Sequence, residues 1–530
     1  MLLHPSCSLW YTSAMARLKL PIGIQSFSEL RLGGYAYVDK TPFIPVMAEG
    51  KYFFLSRPRR FGKSLFLDTL DCAFSGRREL FRGLYLDDSG VWDWDRKYPV
   101  VRISFGGSAY PDLKTLYEVM NYRLLEASER LGVALPAHEN PALRLHAFLK
   151  AVQASWGVQV VVLIDEYDKP ILDNLQNLDL ALAMREALKG FYSVLKDADP
   201  YLRFVFLTGV SKFSKTGIFS GLNNLNDITV DKLYSALCGY TQTDVETVFA
   251  EYLAKFDKEQ VRTWYNGYSW TGEKVYNPFD LLLLFQKGIF KSHWFETGTP
   301  SFLVKLWKEN PRNLPELEGL VVGEELLGSF EIGSLQPETL LFQAGYLTIK
   351  DTTQVGARIQ YVLGFPNLEV RSSFSQLLLS VLQDSPGLST SQGKLAQALE
   401  NGDSESLRLA IHAFFASIPH QWYTKNPISR YEGYYSSVFY AFLASLGWDC
   451  IPEDATNKGR LDLTVKAPRH IWLFEFKVRG IDQTGEEDPL AQLLRKGYAE
   501  KYAVSGLPIH QIGIVFDTAS RNIQDWKTAE

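Results

Sequence analysis

Residues 53–70 read FFLSRPRRFGKSLFLDTL: a short apolar run, a basic loop and a second run rich in apolar residues. This order is typical of a phosphate-binding loop, in which backbone N–H groups converge on an anion at the start of a helix. Gly62, Lys63 and Ser64 fit such a loop, with Lys63 supplying a charge to the phosphates of ATP and Ser64 a hydroxyl for Mg²⁺. Arg57 stands where the usual pattern has its first glycine, so this stretch alone is equally compatible with a basic turn.

A second stretch, VVVLIDEYD at 160–168, is an almost continuous apolar run that ends in acidic residues. Such a run is typical of a parallel strand that is covered on both faces. Asp165 at its end would hold Mg²⁺ through water, and Glu166 would orient or activate the attacking water. The alternative is that both acids only cap a strand in solvent. Their place in the same predicted sheet as the basic loop favours the nucleotide site.

The apolar run RFVFLTGV at 203–210 brings a third polar group to the end of a predicted strand. Thr208 lies at this end, and Ser211 and Lys212 follow it. A polar group at that position would sense the γ-phosphate of ATP. An ordinary entry into a loop is the equally weighted alternative.

Strands and helices alternate over about the first 215 residues. We predict strands at 51–57, 100–105, 158–168 and 203–210, and helices at 63–74, within 111–155 and at 180–198. Alternation at this spacing predicts an α/β domain with a mostly parallel sheet.

A second cluster of polar residues lies in GRLDLTVKAPRHIWLFEFKV at 459–478. Asp462 falls in one predicted strand, and Glu475 and Lys477 share one face of the next because they are two residues apart. A turn between the strands would bring Asp462 towards Glu475. Two carboxylates would hold Mg²⁺, and Lys477 would position water or stabilise negative charge during hydrolysis of a phosphodiester. A solvated hairpin is the alternative.

The charge distribution supports a nucleic acid, DNA or RNA, as the substrate. The net charge is −5, so basic residues that bind a polyanion have to be concentrated locally. The segment around the second cluster holds only two acids and six basic residues, Lys458, Arg460, Lys466, Arg469, Lys477 and Arg479. Cations near a scissile phosphate add affinity through counterion release.

Cysteine usage and hydropathy exclude other classes. The four cysteines are far apart and form no Cys-x-x-Cys pair, which disfavours a structural zinc site and a disulfide framework. No apolar run approaches the length of about 20 residues that a membrane span needs. The N-terminus is a poor secretory signal. We therefore expect a cytoplasmic protein without membrane contact, and Met15 is an alternative start.

Several long motifs resemble one known family. They are YVDKTPFI (37–44), the stretch at 53–70, VLIDEYDKPI (162–171), LTGVSKFSKTGIFSGLNNLNDIT (207–229), and WYNGYSW, VYNPF and WFETGTPSFL between 264 and 303. They resemble the predicted AAA-type ATPase domain of bacterial proteins that carry a C-terminal PD-(D/E)XK nuclease-like domain. The resemblance runs from about 18 to 520.

The resemblance implies roles for further residues. That family also writes its loop as Arg-Pro-Arg-Arg-Phe-Gly-Lys-Ser, so Arg57, Arg59 and Arg60 are expected at the ATP site, with a salt-bridged structural role for at least one. Glu432 would open a helix and supply another acid for the metal. Gln492 and Tyr498 would lie on a helix beside it. Leu461 replaces the usual proline before the first acid. By analogy with AAA proteins, a homo-oligomer with an arginine given in trans is possible.

These observations predict four regions in an α/β protein. They are an N-terminal extension (1–17), an AAA-like P-loop NTPase domain with a mostly parallel sheet (18–230), a mainly helical middle or lid region (231–424), and a restriction-endonuclease-like α/β domain (425–530). The aromatic-rich middle segments would form a lid, a partner surface or ordinary core.

Two functions remain open at this point. One is an ATPase coupled to a Mg²⁺-dependent nuclease. The other is an ATP-switched module that binds nucleic acid or protein through a nuclease-like fold without cleaving. An inert remnant of a mobile element is a third reading, which the two complete motif sets disfavour.

Overall fold

The computed structural model describes residues 18–213, 218–298, 314–328, 336–382, 385–418, 432–479 and 487–529. Strands and helices alternate in the N-terminal part, as predicted. Its elements are α1 (Phe27–Leu32), α2 (Phe43–Ala48), β1 (Tyr52–Ser56), α3 (Lys63–Phe74), α4 (Tyr85–Asp88), β2 (Val100–Ser104), α5 (Leu113–Leu131), α6 (Pro141–Trp156), β3 (Val160–Asp165), α7 (Lys169–Leu172), α8 (Leu178–Asp197), β4 (Leu202–Gly209) and β5 (Asn226–Asp227).

These strands form one parallel sheet in the order β2-β3-β4-β1-β5. Every residue of β1 and β3 is buried, which explains why both read as unbroken apolar runs. The carboxyl ends of parallel strands meet at one edge of a sheet. Since β4 lies between β1 and β3, the basic loop after β1 and the acids after β3 flank the end of β4.

The middle of the chain is mainly helical but contains short strands. Its elements are β6 (Tyr240–Thr241), α9 (Gln242–Val248), α10 (Ala250–Leu253), α11 (Lys258–Tyr265), β7 (Val275–Tyr276), α12 (Pro278–Lys287), α13 (His293–Gly298), β8 (Leu320–Gly323), α14 (Glu324–Gly328), α15 (Pro337–Ala344), β9 (Thr348–Val355), β10 (Arg358–Gly364), α16 (Leu368–Leu382), α17 (Ser385–Asn401) and α18 (Ser404–Ser417). The antiparallel sheet β8-β10-β9 was not predicted. Most of β9 is exposed, so it lacks the apolar pattern that indicates a strand.

The C-terminal part is a mixed sheet between helices. Its elements are α19 (Glu432–Ala444), β11 (Asp449–Thr456), β12 (Gly459–Lys466), β13 (Ile471–Arg479), α20 (Pro489–Lys496), β14 (Ile509–Asp517) and β15 (Asn522–Ala529). The strands follow each other in sequence order, and only β13 and β14 are parallel. The chain between these two crosses the sheet through α20, as a parallel connection requires.

The two faces of β13 pack against different helices. Phe474 and Phe476 contact Phe439 of α19, with ring centroids 5.1 and 4.9 Å apart. Ile471 and Leu473, on the opposite face, share a buried cluster with Leu493 of α20. The alternation predicted for this strand is therefore present. Within the described ranges, no helix has both the length and the apolar character needed to cross a bilayer.

Candidate functional site

The phosphate loop enters α3 through two residues in the left-handed backbone conformation. Arg60 has a φ of 69° and Gly62 a φ of 92°. A Cβ on Gly62 would have no other atom within 4 Å, so this glycine is favoured by backbone geometry and not by lack of space. α3 begins at the next residue, and the first N–H groups of a helix have no partner within it. The turn therefore presents a helix N-terminus suited to an anion.

Lys63 is buried and holds the loop in its present conformation. Its ammonium donates hydrogen bonds of 2.8 Å to the carbonyls of Arg57 and of Pro58. Burial lowers the pKa of Lys63, and the nearby Asp165 carboxylate opposes this effect. The ammonium thus lies inside the loop and bonds to its backbone. If the loop bound a phosphate, the ammonium would contact that phosphate instead of these carbonyls.

Arg57 does not face this cavity, which corrects the expectation that its side chain contacts ATP. Only 1 % of it is exposed, and its guanidinium donates to the carbonyls of Ser56 (2.9 Å), Thr229 (2.6 Å) and Tyr234 (3.2 Å). It also lies over the ring of Trp270, 4.1 Å from the centroid. Arg57 therefore has the structural role that was expected for at least one arginine of the loop. Its guanidinium bonds to backbone carbonyls, whereas a salt bridge was expected from the sequence.

Arg59 and Arg60 are exposed and line the cavity. The guanidinium of Arg60 lies 4.6 Å from the centroid of Phe279 in α12. The carbonyl of Arg59 accepts a hydrogen bond of 3.2 Å from the indole of Trp294 in α13. The aromatic segments of the middle region therefore support the phosphate loop. Tyr268 and Trp270 are buried against Phe61, which favours the core interpretation of that segment.

The two acids after β3 occupy different positions. Asp165 is buried, accepts a hydrogen bond of 3.0 Å from the amide of Glu166, and is not among the described residues that line the cavity. Glu166 lines it and has a strained φ of 51°. Burial, followed by the neighbouring Asp165, raises the pKa of Glu166. A carboxylate with a raised pKa at a cavity wall suits a general base.

Thr208 does not reach the cavity, in contrast to the expectation that it senses a phosphate. It is fully buried, and its hydroxyl donates to the carbonyl of Leu55 in β1 at 3.0 Å. β4 ends at Gly209, so Thr208 lies inside the strand and its hydroxyl joins β4 to β1.

Asp168 was not singled out from the sequence, yet it fixes the end of β4. Its carboxylate is 1 % exposed and accepts hydrogen bonds from the amides of Val210 (3.0 Å) and Ser211 (2.5 Å). Burial raises the pKa of Asp168 to about 6. The only sequence signal for it was a third acid after the apolar strand, which reads equally well as solvated loop.

A cavity of about 560 Å³ joins these groups. Its lining combines polar and apolar residues. The lining residues include Arg59, Arg60, Gly62, Lys63 and Ser64 of the loop, Glu166 and Asp168 after β3, and the apolar residues Ile24, Ala36, Val38, Leu237 and Leu282. This size and this mixture of polar and apolar lining suit a nucleotide.

The C-terminal sheet brings together the second predicted cluster. Pairing of β12 with β13 runs from Lys466 with Ile471 to Leu463 with Phe474. Just beyond it, the carboxylate of Asp462 accepts a hydrogen bond of 2.6 Å from the amide of Phe476. Phe476 stands between Glu475 and Lys477, so the three predicted polar residues lie at one point where the strands separate.

An irregularity of β12 directs Asp462 to this point. Leu461 and Leu463 flank Asp462, yet they pack in different buried clusters, although residues two apart in a regular strand share a face. On the neighbouring β11, Glu453 has a φ of 48° and lies opposite Asp462, between two pairs of a ladder whose register does not change. A positive φ at a residue other than glycine is a local distortion of the strand, and it lies beside Asp462.

Glu475 is held by a hydrogen bond from α20, the helix that packs on the same face of the sheet. It is 2 % exposed, and its carboxylate accepts a hydrogen bond from the side-chain amide of Gln492 in α20. Tyr498 follows that helix, and its hydroxyl donates to the carbonyl of Arg460 at 2.9 Å. Gln492 and Tyr498 thus lie beside the cluster, where the family resemblance expected them.

A magnesium ion fits the cluster by donor type, since Asp462 and Glu475 both offer carboxylate oxygens. Glu432 is the first residue of α19, but its side chain lies outside the described residues. Among the residues described, no group of three or more His, Cys, Asp or Glu is close enough to hold a metal by itself. Water, backbone oxygens or the substrate would therefore complete the coordination.

Two family models match the chain. Residues 21–219 match a predicted AAA-ATPase domain, and residues 430–526 match the PD-(D/E)XK nuclease superfamily. An "Uncharacterized protein in vnfD 5'region" of Azotobacter chroococcum mcd 1 is 52 % identical over 512 residues, which cover 96 % of this chain and 98 % of that protein. The chain belongs to this family of predicted AAA-ATPases with a C-terminal PD-(D/E)XK domain.

The two ranges of this chain that match the family models contain the two clusters of polar residues described above. The first spans the phosphate loop and the acids after β3, and the second spans Asp462, Glu475, Lys477 and α20. The match to the Azotobacter relative, which covers 96 % of this chain, extends into the region between them. No solved structure matches the chain.

Proposed function

We propose that the protein binds and hydrolyses ATP with Mg²⁺ and couples this activity to a Mg²⁺-dependent nuclease that acts on DNA or RNA. The observation that carries the first half is the single cavity that Gly62, Lys63, Ser64 and Glu166 line together. The observation that carries the second half is the bond from Phe476 to Asp462, beside Glu475 and Lys477.

At the first site, Lys63 would leave the carbonyls of Arg57 and Pro58 and contact the phosphates. Arg59 and Arg60 would add positive charge at the cavity wall. Glu166 would accept a proton from the attacking water, which its raised pKa favours. Ser64, and Asp165 through water, would hold Mg²⁺, which would neutralise developing charge on the phosphates.

At the second site, Asp462 and Glu475 would hold Mg²⁺, and Glu432 is a further candidate ligand. The metal would polarise the phosphoryl oxygen and lower the pKa of a bound water. Lys477 lies on the same face of β13 as Glu475 and would stabilise charge on the transferred phosphoryl group. The hydrogen bond from Gln492 would keep the Glu475 carboxylate oriented.

We also propose a division into an ATPase domain (18–230), a middle region (231–424) and a nuclease-like domain (425–530), which the matched ranges support. A cytoplasmic location and a homo-oligomer are part of this proposal. Thr208 and Arg57 are not retained as ATP ligands, because their side chains bond to protein carbonyls.

The test is a cleavage assay on single- and double-stranded DNA and RNA, with Mg²⁺ and with or without ATP. Phosphate release is measured in parallel. We expect Lys63→Ala to abolish ATP turnover and Asp462→Ala to abolish cleavage while ATP turnover persists. Absence of cleavage by the wild type on every substrate would overturn the nuclease half.

The alternative, an ATP-switched binding module, is favoured by one observation. The Asp462 and Glu475 carboxylates both accept hydrogen bonds within the protein, as they would in a purely structural cluster. Magnesium titration separates the two functions. A cluster that binds Mg²⁺ in the wild type but not in Asp462→Ala supports the nuclease, whereas nucleic-acid binding without any metal dependence supports the module.

A further inference from the structure

Trp294 joins the phosphate loop to the first turn of α16. Its indole N–H donates to the carbonyl of Arg59 at 3.2 Å, and its backbone N–H donates to a carboxylate oxygen of Glu369 at 3.1 Å. Only 1 % of Trp294 is exposed, and its ring packs on Tyr346 at a centroid distance of 5.2 Å. A displacement of the loop at Arg59 therefore acts directly on the residue that holds Glu369.

A second contact leads from the loop to the same carboxylate. Asp280 follows Phe279, whose ring lies beneath the guanidinium of Arg60. The side chains of Asp280 and Glu369 are both fully buried, and burial followed by the neighbouring Asp280 raises the pKa of Glu369 well above its usual range. Both carboxyl oxygens of Asp280 and one of Glu369 are buried without a hydrogen-bond partner among the described residues, and two such groups disfavour being ionised together. Tyr265 and Tyr268 lie near both carboxyl groups.

The same turn of α16 holds the chain that enters the nuclease-like sheet. Arg371 donates to the carbonyls of Cys450 (2.8 Å) and Trp448 (3.2 Å). Ser372 donates to the carbonyl of Ser445 at 3.1 Å. Residues 445–448 connect α19 to β11, the strand in which Glu453 has a positive φ opposite Asp462. One helical turn, residues 369–372, is thus bonded to the supports of both sites.

We propose that residues 369–372 are the element through which occupancy of the nucleotide site changes the nuclease-like domain. This inference rests on the proposed function. Lys63 has to release the carbonyls of Arg57 and Pro58 before it contacts a phosphate, so the loop backbone changes its bonds on binding. Trp294 is packed tightly and transmits that change to Glu369, because a close-packed interior shifts as a unit. The hydrogen bond from Trp294 to Glu369 is then kept or broken, which gives the element two states.

Hydrogen–deuterium exchange on the full chain tests this, with Mg²⁺ and a non-hydrolysable ATP analogue as the probe. In the wild type we expect the analogue to change exchange at amides 445–452 by at least about fivefold, the lower end of typical coupling. Glu369→Leu removes the acceptor for the amide of Trp294 and should reduce this factor to within about twofold of one. Glu369→Gln still accepts from Trp294, so it should retain the factor. Glu405→Gln, at an exposed helical glutamate, is the matched control.

Trp294→Phe provides a second route that keeps the ring but removes the donor to Arg59. It should leave analogue binding measurable by calorimetry and reduce the exchange response as Glu369→Leu does. If the analogue binds to the wild type without a response at 445–452, or if both variants keep a wild-type response, the inference is overturned while ATP binding stands. If the wild type binds no analogue, the ATP half of the proposed function fails and the inference fails with it.

Discussion

The carboxylate of Asp462 accepts a hydrogen bond of 2.6 Å from the backbone amide of Phe476, across a point where β12 and β13 have ceased to pair. A regular ladder would leave no opening between these strands. The positive φ of Glu453 on β11 and the change of face between Leu461 and Leu463 accompany this opening. The amide that fixes Asp462 belongs to Phe476, which stands between Glu475 and Lys477. This bond therefore sets the distance of the Asp462 carboxylate from the side chains of Glu475 and Lys477.

The first prediction concerns this bond. Asp462→Asn retains an oxygen that accepts from Phe476, so the fold should persist while the negative charge is lost. We expect cleavage to fall at least about 100-fold, the scale of losing one positioned charged group. ATP turnover should stay within about twofold of the wild type, since the two sites lie in different sheets. Asp525→Asn, on the exposed side of β15, is the control, and equal losses in both variants would contradict a specific role.

The second prediction concerns Arg57. Arg57→Lys keeps the charge but not the planar fork that meets three carbonyls and Trp270. We expect the free energy of unfolding to fall by about 2–4 kcal/mol, because buried carbonyls lose charged donors. Urea denaturation measures this value. Arg59→Lys, at an exposed position of the same loop, should change stability little and weaken ATP binding instead. Equal destabilisation by the two variants would show that Arg57 has no special structural role.

The regular elements and the polar clusters were predictable because their signals are local. An unbroken apolar run followed by Gly62, Lys63 and Ser64, and alternation around Glu475 and Lys477, both depend on neighbouring residues. The direction of Arg57 was not predictable, because its acceptors include Thr229 and Tyr234, far along the chain. Asp168 was missed for the same reason, since its partners lie on the next strand of the sheet.

The third prediction concerns Asp168 as a positioning residue. Asp168→Asn is nearly isosteric but removes the negative charge to which the amides of Val210 and Ser211 donate, and it replaces one carboxylate oxygen with an NH2 group. The end of β4 beside the cavity should loosen, so we expect kcat for ATP to fall about tenfold or more with a smaller change in KM. Steady-state phosphate release measures both constants. Asp197→Asn, at the exposed last residue of α8 and outside the residues that line the cavity, is the control. A rise in KM at constant kcat would contradict a positioning role and indicate a role in ATP binding alone.

The fourth prediction is a dependence of stability on pH that comes from the carboxyl pair. Burial raises the pKa of Asp280 from 3.8 to about 7 in the folded state. Between these values the folded protein holds a proton that the unfolded chain has lost, so the free energy of unfolding falls as pH rises through this range. The contribution is fully present below pH 4 and is lost above about pH 7. Asp168 adds a similar slope, but only up to about pH 6.

Urea denaturation of Asp280→Asn at pH 5, 6, 7 and 8 isolates this contribution. The asparagine has no proton to lose in this range and removes a charge beside Glu369, so the decline between pH 6 and 7 should become shallower. Asp403→Asn is the matched control, because Asp403 is an exposed helix cap with a lowered pKa and asparagine caps equally well. It should keep the wild-type slope in this range. A wild-type slope in Asp280→Asn would mean that Asp280 does not titrate between pH 6 and 7 in the folded protein.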